Sequence, residues 1–506
     1  MQSSLSFMSL AARLSAWFQS PTRLFLTVAL WLVSLAIWRP LAVPDEGRYT
    51  DVARWMLRSG DWIIPRLNGL PFLHKPVLYY WIEAASIALL GPNVLSARVA
   101  SLGAALLICG AVYAVVRRLS DAHSARWSVL LLASCPIMVL GSQYANLDML
   151  VAAWITVTVS LAALACHAEP QQARWLWWGA YASAGLGVLS KGLIGLVLPG
   201  AVFVLWALLE GQPRRLWQSL SLVGALLLAA ITLPWFWLAE QHVPGLLHFF
   251  LVVQQFERYT EAGFNNAWGP WFYPLVMAIG LLPWSLIGWP AARSAWQASP
   301  TSPHRNLSLN RLGVAWLLVV LVFFSIPRSK LVGYILPLVP AAAVLLGPWV
   351  ARWRFRRHAA LGGALLCAVL VGIAAKTQNN GATSLASALK TQIALSDVVV
   401  FWNRYDYAVP VVLDRPTPVL VVDPWGRSSR ALPDNWRREL VEGQEFEPAS
   451  GRSLITPSQW VQQMQAPGAP TYWIWVDQAL AKSEPLLQNR PIVQRAGSVV
   501  VLKVAP

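Results

Sequence analysis

The chain has 506 residues; 56% are hydrophobic, only 12% are charged, and the mean hydropathy is +0.50. A soluble domain carries about 25% charged residues, so this composition excludes an ordinary soluble enzyme and points to a polytopic membrane protein with room for one further soluble domain. The formal net charge of +16 reads as an excess of Lys and Arg on cytoplasmic loops and anionic lipid, not as a nucleic-acid surface.

In chain order, Arg13 and Arg23 precede the first apolar run and no small-residue cleavage site follows it, which predicts an uncleaved first helix. A helix needs roughly 20 mostly apolar residues to cross a bilayer. Eleven runs reach or approach that length, centred on 24–41, 94–116, 127–143, 147–166, 174–190, 192–209, 216–238, 270–291, 312–327, 332–350 and 359–375. The expected fold class is therefore an all-α polytopic membrane protein with about 11 transmembrane helices and at most 13. With the N-terminus in the cytoplasm, the inner loops hold Arg117, Arg118 and Arg126, then Arg174, Arg214 and Arg215, then Arg293, Arg305 and Arg311, and finally Arg352, Arg354, Arg356 and Arg357. An odd number of spans places the C-terminal tail outside.

Two outer segments are long, 42–93 and 239–269. Each contains an amphipathic stretch suited to the interface plane, "DVARWMLRSGDW" and "LLHFFLVVQQFERYT". The tail changes character near residue 377. "DVVVFWNRYDYAVPVVLDRPTPVLVVD" and "GSVVVLKVAP" are strand-like, while "LPDNWRRELVEG" and "TPSQWVQQMQ" carry helix caps. The expected division is a transmembrane domain over 1–376, including the first outer loop 42–93, and a small α/β domain over 377–506. The four cysteines, Cys109, Cys135, Cys166 and Cys367, lie in or beside apolar runs with no C-x-x-C pair, so neither a disulfide framework nor a zinc site is expected. The 29 tryptophans suit aromatic belts at the interfaces.

Outer loops should be poor in cations, yet these carry Arg48, Arg54, Arg58, Arg66, Lys75, Lys191, Arg258, Arg328 and Lys330. Singly, each could meet a lipid headgroup. Beside carboxylates, several at once suggest a site for a lipid-linked phosphate. The carboxylates are Asp45 and Glu46, where the chain leaves the first run, and Asp148 in "SQYANLDMLVAAW", at the outer end of the fourth. An ionisable group at such a depth is a functional candidate. Helix capping is the alternative for Asp45, and a cap after Asn146 for Asp148.

The stretch "PDEGRYTDVARWMLRSGDWIIPRLNGLPFLHKPVLYYW" resembles the first outer loop of the bacterial protein-mannosyltransferase-like superfamily, nearest its aminoarabinose lipid A transferase branch. "SQYANLDM", "GLGVLSKGLIGLVLP", "GPWFYPLVMAIGLLPW" and "FFSIPRSKLVGYILPLVP" agree, so that the resemblance covers roughly 24–350. It implies a GT-C membrane glycosyltransferase that takes a sugar from a polyprenyl-phosphate carrier on the periplasmic face of the bacterial inner membrane. Asp45 matches the essential first-loop aspartate, and Lys75 the lysine that contacts the donor phosphate. Asp148 matches a second acidic position, with Asp45 and Asp148 implied as catalytic. Arg258, Ser329, Lys330 and Tyr334 fall on donor-site stretches, and Glu46, Arg48 and Tyr49 on the first-loop motif. His74 stands where relatives often have Glu, and Gln254 and Gln255 where they often have "EH". Those positions can supply metal ligands in relatives, so no metal and no cofactor are expected here.

Breaking a C1–O bond to a phosphate builds charge on the leaving group, which cations stabilise more in the transition state than in the ground state. Lys75, Arg258 and Lys330 fit that task, with Arg48 beside them. Asp45 fits the base for an alcohol acceptor, or the group that orients an acceptor already anionic. The expected acceptor is a lipid A phosphate receiving an aminosugar such as 4-amino-4-deoxy-L-arabinose. A protein or other envelope glycan is the alternative acceptor, and a lipid-linked sugar flippase the alternative of another class. No nucleic-acid partner is expected.

Overall fold

Each of the eleven apolar runs contains helix among its described residues. The structure, a computed structural model, describes residues 17–257, 266–287, 304–378 and 381–505. Among these residues five helices are long and apolar enough to cross a membrane by themselves: Val94–Leu119, Leu147–Ala165, Leu222–His242, Leu307–Ser325 and Arg356–Thr377. The run 127–143 is a pair, Ala122–Ala133 and Pro136–Ser142, bent by 65°. Pro136 explains the break: it opens the second helix, where a missing N–H costs nothing, and cannot continue the first. Pro21–Ala36, Ile194–Leu209 and Leu338–Val350 are shorter apolar helices, and the run 270–291 divides into Phe272–Gly280 and a 3-10 turn at Trp284–Ile287. The chain is a multi-pass membrane protein. Its helices are more unequal in length than eleven uniform spans.

The chain forms two compact units. The first comprises Met1–Trp38, Ala100–Pro234 and Gln255–Ile373. Its helices are tied by side chains that reach backbone carbonyls, as apolar surroundings demand. Gln143 Nε2 donates to Leu32 O at 3.1 Å, Trp31 Nε1 to Ala133 O at 3.0 Å, and Trp206 Nε1 to Ser308 O at 3.1 Å.

The second unit comprises Arg39–Val99, Trp235–Gln254 and Ala374–Pro506. The first outer loop contributes the helix Asp45–Ser59, a two-residue hairpin of β1 (Arg66–Leu67) and β2 (Leu70–Pro71), and the helix Leu78–Leu90. The hairpin turns on Asn68 and Gly69, both at positive φ, the twist a tight hairpin favours. The last helix lies inside what the sequence presents as loop.

The tail folds as a six-stranded sheet in the order β5-β4-β3-β6-β8-β7. Here β3 is Val398–Trp402, β4 Leu420–Val422, β5 Leu454–Ile455, β6 Tyr472–Asp477, β7 Ile492–Ala496 and β8 Val499–Val504. The strands β3 to β6 are mutually parallel, and β8 and β7 complete an antiparallel edge. Parallel strands need crossovers, and helices supply them. Asn435 caps Trp436–Phe446, and Thr456 with Gln459 forms a capping box at the start of Pro457–Gln465. Val400, Trp402, Trp460, Ile474 and Leu502 fill one core of this α/β domain. One expectation is corrected. Within the strand-like stretch 397–423, residues Ala408–Leu413 are a helix. Val409 and Val411 are buried in a helix that packs on the first-loop helix rather than in the sheet, and packing overrides their propensity.

Candidate donor-site residues

The helix Asp45–Ser59 begins directly after Pro44 and stops at Gly60, which takes the left-handed conformation (φ 70°). Asp45 is the first helical residue rather than the cap, and its Oδ1 accepts from Arg48 Nη2 one turn on. Arg48 Nη1 donates to Glu439 of the tail helix Trp436–Phe446. The other oxygen of Glu439 accepts from the Tyr407 hydroxyl at 2.6 Å. The guanidinium lies 5.2 Å from the Tyr49 ring centre and 5.5 Å from that of Tyr407, within cation–π range. Burial, and then the Glu439 carboxylate, push the Tyr407 phenol well above 10, so it stays a donor. Asp45 itself is half-buried.

Glu46 occupies a different position. It is fully buried, with Oε2 accepting from Arg39 Nη1 (2.6 Å), Arg98 Nη2 (2.9 Å) and Ala42 N (2.6 Å), and Oε1 from Arg98 Nε (2.8 Å). Burial alone would raise its pKa. The Arg98 hydrogen bonds and the two guanidinium charges outweigh burial and hold it below 4.5. The carboxylate thus ties the exit of the first helix to the start of Val94–Leu119. Tyr49 is buried between Tyr79 and Tyr80, with ring centres 6.1 Å away in both cases.

The hairpin places His74 and Lys75. Its Asn68 is clamped by the tail, donating Nδ2 to Val419 O (3.0 Å) and accepting from Val419 N (2.9 Å). His74 Nε2 meets Glu442 Oε2 at 2.7 Å, and Arg438 Nε donates to the other Glu442 oxygen at 2.9 Å. Burial opposes the charge on Glu442, but His74 and Arg438 prevail and lower its pKa. Lys75 follows, half-buried. Asp45, Glu46, Arg48, Tyr49 and Lys75 therefore all belong to the second unit.

The remaining predicted residues that the structure describes belong to the first. Asp148 sits in the first turn of Leu147–Ala165, capped by Asn146 Oδ1, which accepts from Asp148 N at 2.9 Å. The cap is thus Asn146, and the Asp148 carboxylate accepts instead from Lys191 Nζ. Lys191 Nζ also lies 4.4 Å from the ring centre of Tyr334. A side chain at Gly333 would strike Asp148: its Cβ would fall 2.2 Å from Oδ2. Ser329 pairs with Ala267 in an isolated bridge, and Lys330 is buried with Nζ donating to the carbonyls of Trp268 (3.0 Å) and Pro327. Arg258 lies outside the described residues. Among those residues no group of three or more His, Cys, Asp or Glu side chains gathers at one point.

Sequence reasoning missed Arg39, Arg98, Tyr407, Glu439 and Glu442. It counted Lys191 as an outer cation without pairing it. Only Lys191 carries a local signal, a lysine ending an apolar helix at a glycine.

Residues 74–237 match the family described as dolichyl-phosphate-mannose-protein mannosyltransferase. The chain is 34% identical over 334 residues to an undecaprenyl phosphate-alpha-4-amino-4-deoxy-L-arabinose arabinosyl transferase of Pseudomonas aeruginosa, covering 64% of this chain and 58% of the relative. A protein of Sodalis glossinidius with the corresponding name is 31% identical over 336 residues, covering 63% and 59%. The chain thus matches less than two thirds of these curated relatives' length. Its fold is similar to the crystal structure of ArnT from Cupriavidus metallidurans bound to undecaprenyl phosphate, with a TM-score of 0.81 and 22% identity over 95% of this chain and 97% of that one. The fold is thus similar to that of a solved membrane protein along nearly its whole length, and residues 74–237 carry the likeness to the mannosyltransferase family.

Proposed function

We propose that the protein is a glycosyltransferase that moves a sugar, such as 4-amino-4-deoxy-L-arabinose, from a polyprenyl-phosphate carrier to a lipid A phosphate at the periplasmic face of the bacterial inner membrane. The observation that carries this reading is the first-loop arrangement. A half-buried carboxylate, Asp45, is held at one oxygen by a guanidinium in the same unit as Lys75. The names of the curated relatives supply the sugar and the carrier. The division that serves this function is a transmembrane domain over 1–376 and an outer domain over 377–506.

In the reaction the acceptor oxygen bonds to C1 of the sugar as the bond from C1 to the carrier phosphate breaks. The electron pair leaves with the phosphate. Lys75 stabilises the charge gathering there. Asp45 takes the proton of a hydroxyl acceptor; for a phosphate acceptor it orients the nucleophile and steadies positive charge at C1. Asp148, neutralised by Lys191, fixes the Tyr334 segment. One displacement inverts C1 and needs no sugar–enzyme bond.

The test is mass spectrometry of lipid A from cells with the protein, without it, and with Asp45→Asn. A mass increment of one sugar, present only with the intact protein, is expected. Unmodified lipid A beside a newly glycosylated protein or polysaccharide would overturn the acceptor. Carrier-linked sugar that changes membrane leaflet with no release of polyprenyl phosphate would overturn the enzyme.

A further inference from the structure

We infer that the C-terminal domain sets the position of Asp45, and that Glu439 is the positioning residue, acting through Arg48. This deepens the transferase reading and rests on it. An i,i+3 pair such as Asp45–Arg48 on a half-buried helix turn is weak and poorly fixed by itself, because arginine has many rotamers. Here the arginine is held at both ends. One Nη meets Asp45 and the other meets Glu439, while the Tyr49 and Tyr407 rings flank its plane. Glu439 is itself fixed, since its second oxygen takes the Tyr407 hydroxyl and only 8% of the residue is exposed. The order of restraint therefore runs from Tyr407 to Glu439, to Arg48, to Asp45.

The backbone of the unit is built for this contact. A Cβ at Gly47 would lie 2.6 Å from Ala408 N and 2.8 Å from its Cα. A Cβ at Gly443, one turn beyond Glu439, would lie 2.6 Å from Pro71 O of the hairpin. Both glycines let tail helices approach the first loop at backbone distance. Two carboxylates on one guanidinium also divide its charge. With Glu439 gone, Arg48 would lose its tail anchor and would no longer be held at both ends.

The experiment compares full-length wild type, Glu439→Gln and Tyr407→Phe in lipid nanodiscs by two readouts. One is hydrogen exchange of the peptide covering 44–52. The other is turnover with a polyprenyl-phosphate aminosugar donor and lipid A. Glu439→Gln keeps the shape and removes the charge. It is expected to lower kcat about tenfold, change the donor KM by less than about threefold, and speed exchange over 45–50. Tyr407→Phe should shift both readouts in the same direction by less, which keeps the test alive if the first variant folds poorly. A folded Glu439→Gln protein with wild-type kcat, or with unchanged exchange over 45–50, would overturn the inference. A filler of space and charge would lower the folded fraction but leave turnover per folded molecule intact. If the wild type releases no polyprenyl phosphate, the transferase reading fails, and the exchange readout alone decides the role of Glu439.

Discussion

Glu46→Gln isolates the price of the buried anion beside Asp45. The native carboxylate compensates two guanidiniums, Arg39 and Arg98, which are 4% and 0% exposed. The amide keeps the shape and one acceptor but removes the negative charge that faces both cations. Removing one partner from a buried ion pair costs about 3–5 kcal/mol. The retained acceptor argues for the lower end, about 3 kcal/mol. In a body of roughly 200 residues that corresponds to a fall in Tm of about 6–12 °C. The assay is thermal unfolding in detergent at pH 7, repeated at lower pH. The pH dependence has a definite sign. Glu46 is held below its ordinary 4.5 in the folded state, so its contribution is complete above that value and is lost as pH falls through the lowered one. The wild type should therefore lose its advantage over Glu46→Gln on the acid side. A Tm within about 2 °C of wild type at pH 7, or a gap that widens on acidification, would refute the reasoning.

Gly47→Ala should destabilise by about 1–3 kcal/mol, since the new methyl meets Ala408 backbone atoms that cannot turn aside; chemical unfolding of the purified protein measures it. Lys75→Ala should lower transfer by about two orders of magnitude, the scale for one electrostatic contact to a developing charge, and Lys75→Arg should restore only part of it, as steady-state kinetics would show. Cysteine introduced at the exposed Ser483 should react with an impermeant thiol reagent once the outer membrane is permeabilised; labelling only after inner-membrane lysis would reverse the proposed orientation.

The spans were legible because hydropathy is local. The run 312–327 reads short only because its helix starts at His304 in polar sequence, and the helix continues through it. The 65° break is signalled by Pro136. Leu78–Leu90 was hidden by its length, 13 residues, too few to suggest a span. At the site, Asp45 and Lys75 stand out through a local motif, whereas their supports do not. Glu439 is 391 residues from Arg48, and no pattern in "NWRREL" announces that one of its charges faces a distant arginine. Ala408–Leu413 misleads for the same reason: its valines resemble a strand, and the first-loop helix it packs against lies far away in sequence.

The clamp between first loop and tail also sets a timetable. Asn68 waits for Val419, 351 residues later, Arg54 for the Arg415 carbonyl, 361 later, and Arg48 for Glu439. At roughly 5–20 residues per second the ribosome needs about 20–80 s to deliver Glu439 after Arg48 emerges. Through that interval the loop carries Arg54 and Asn68, both buried in the finished protein, with their tail partners still unmade. Every membrane span can be in place while the first loop stands open to proteases. A message truncated between residues 377 and 398 would yield a chain caught at that stage, inserted but never closed.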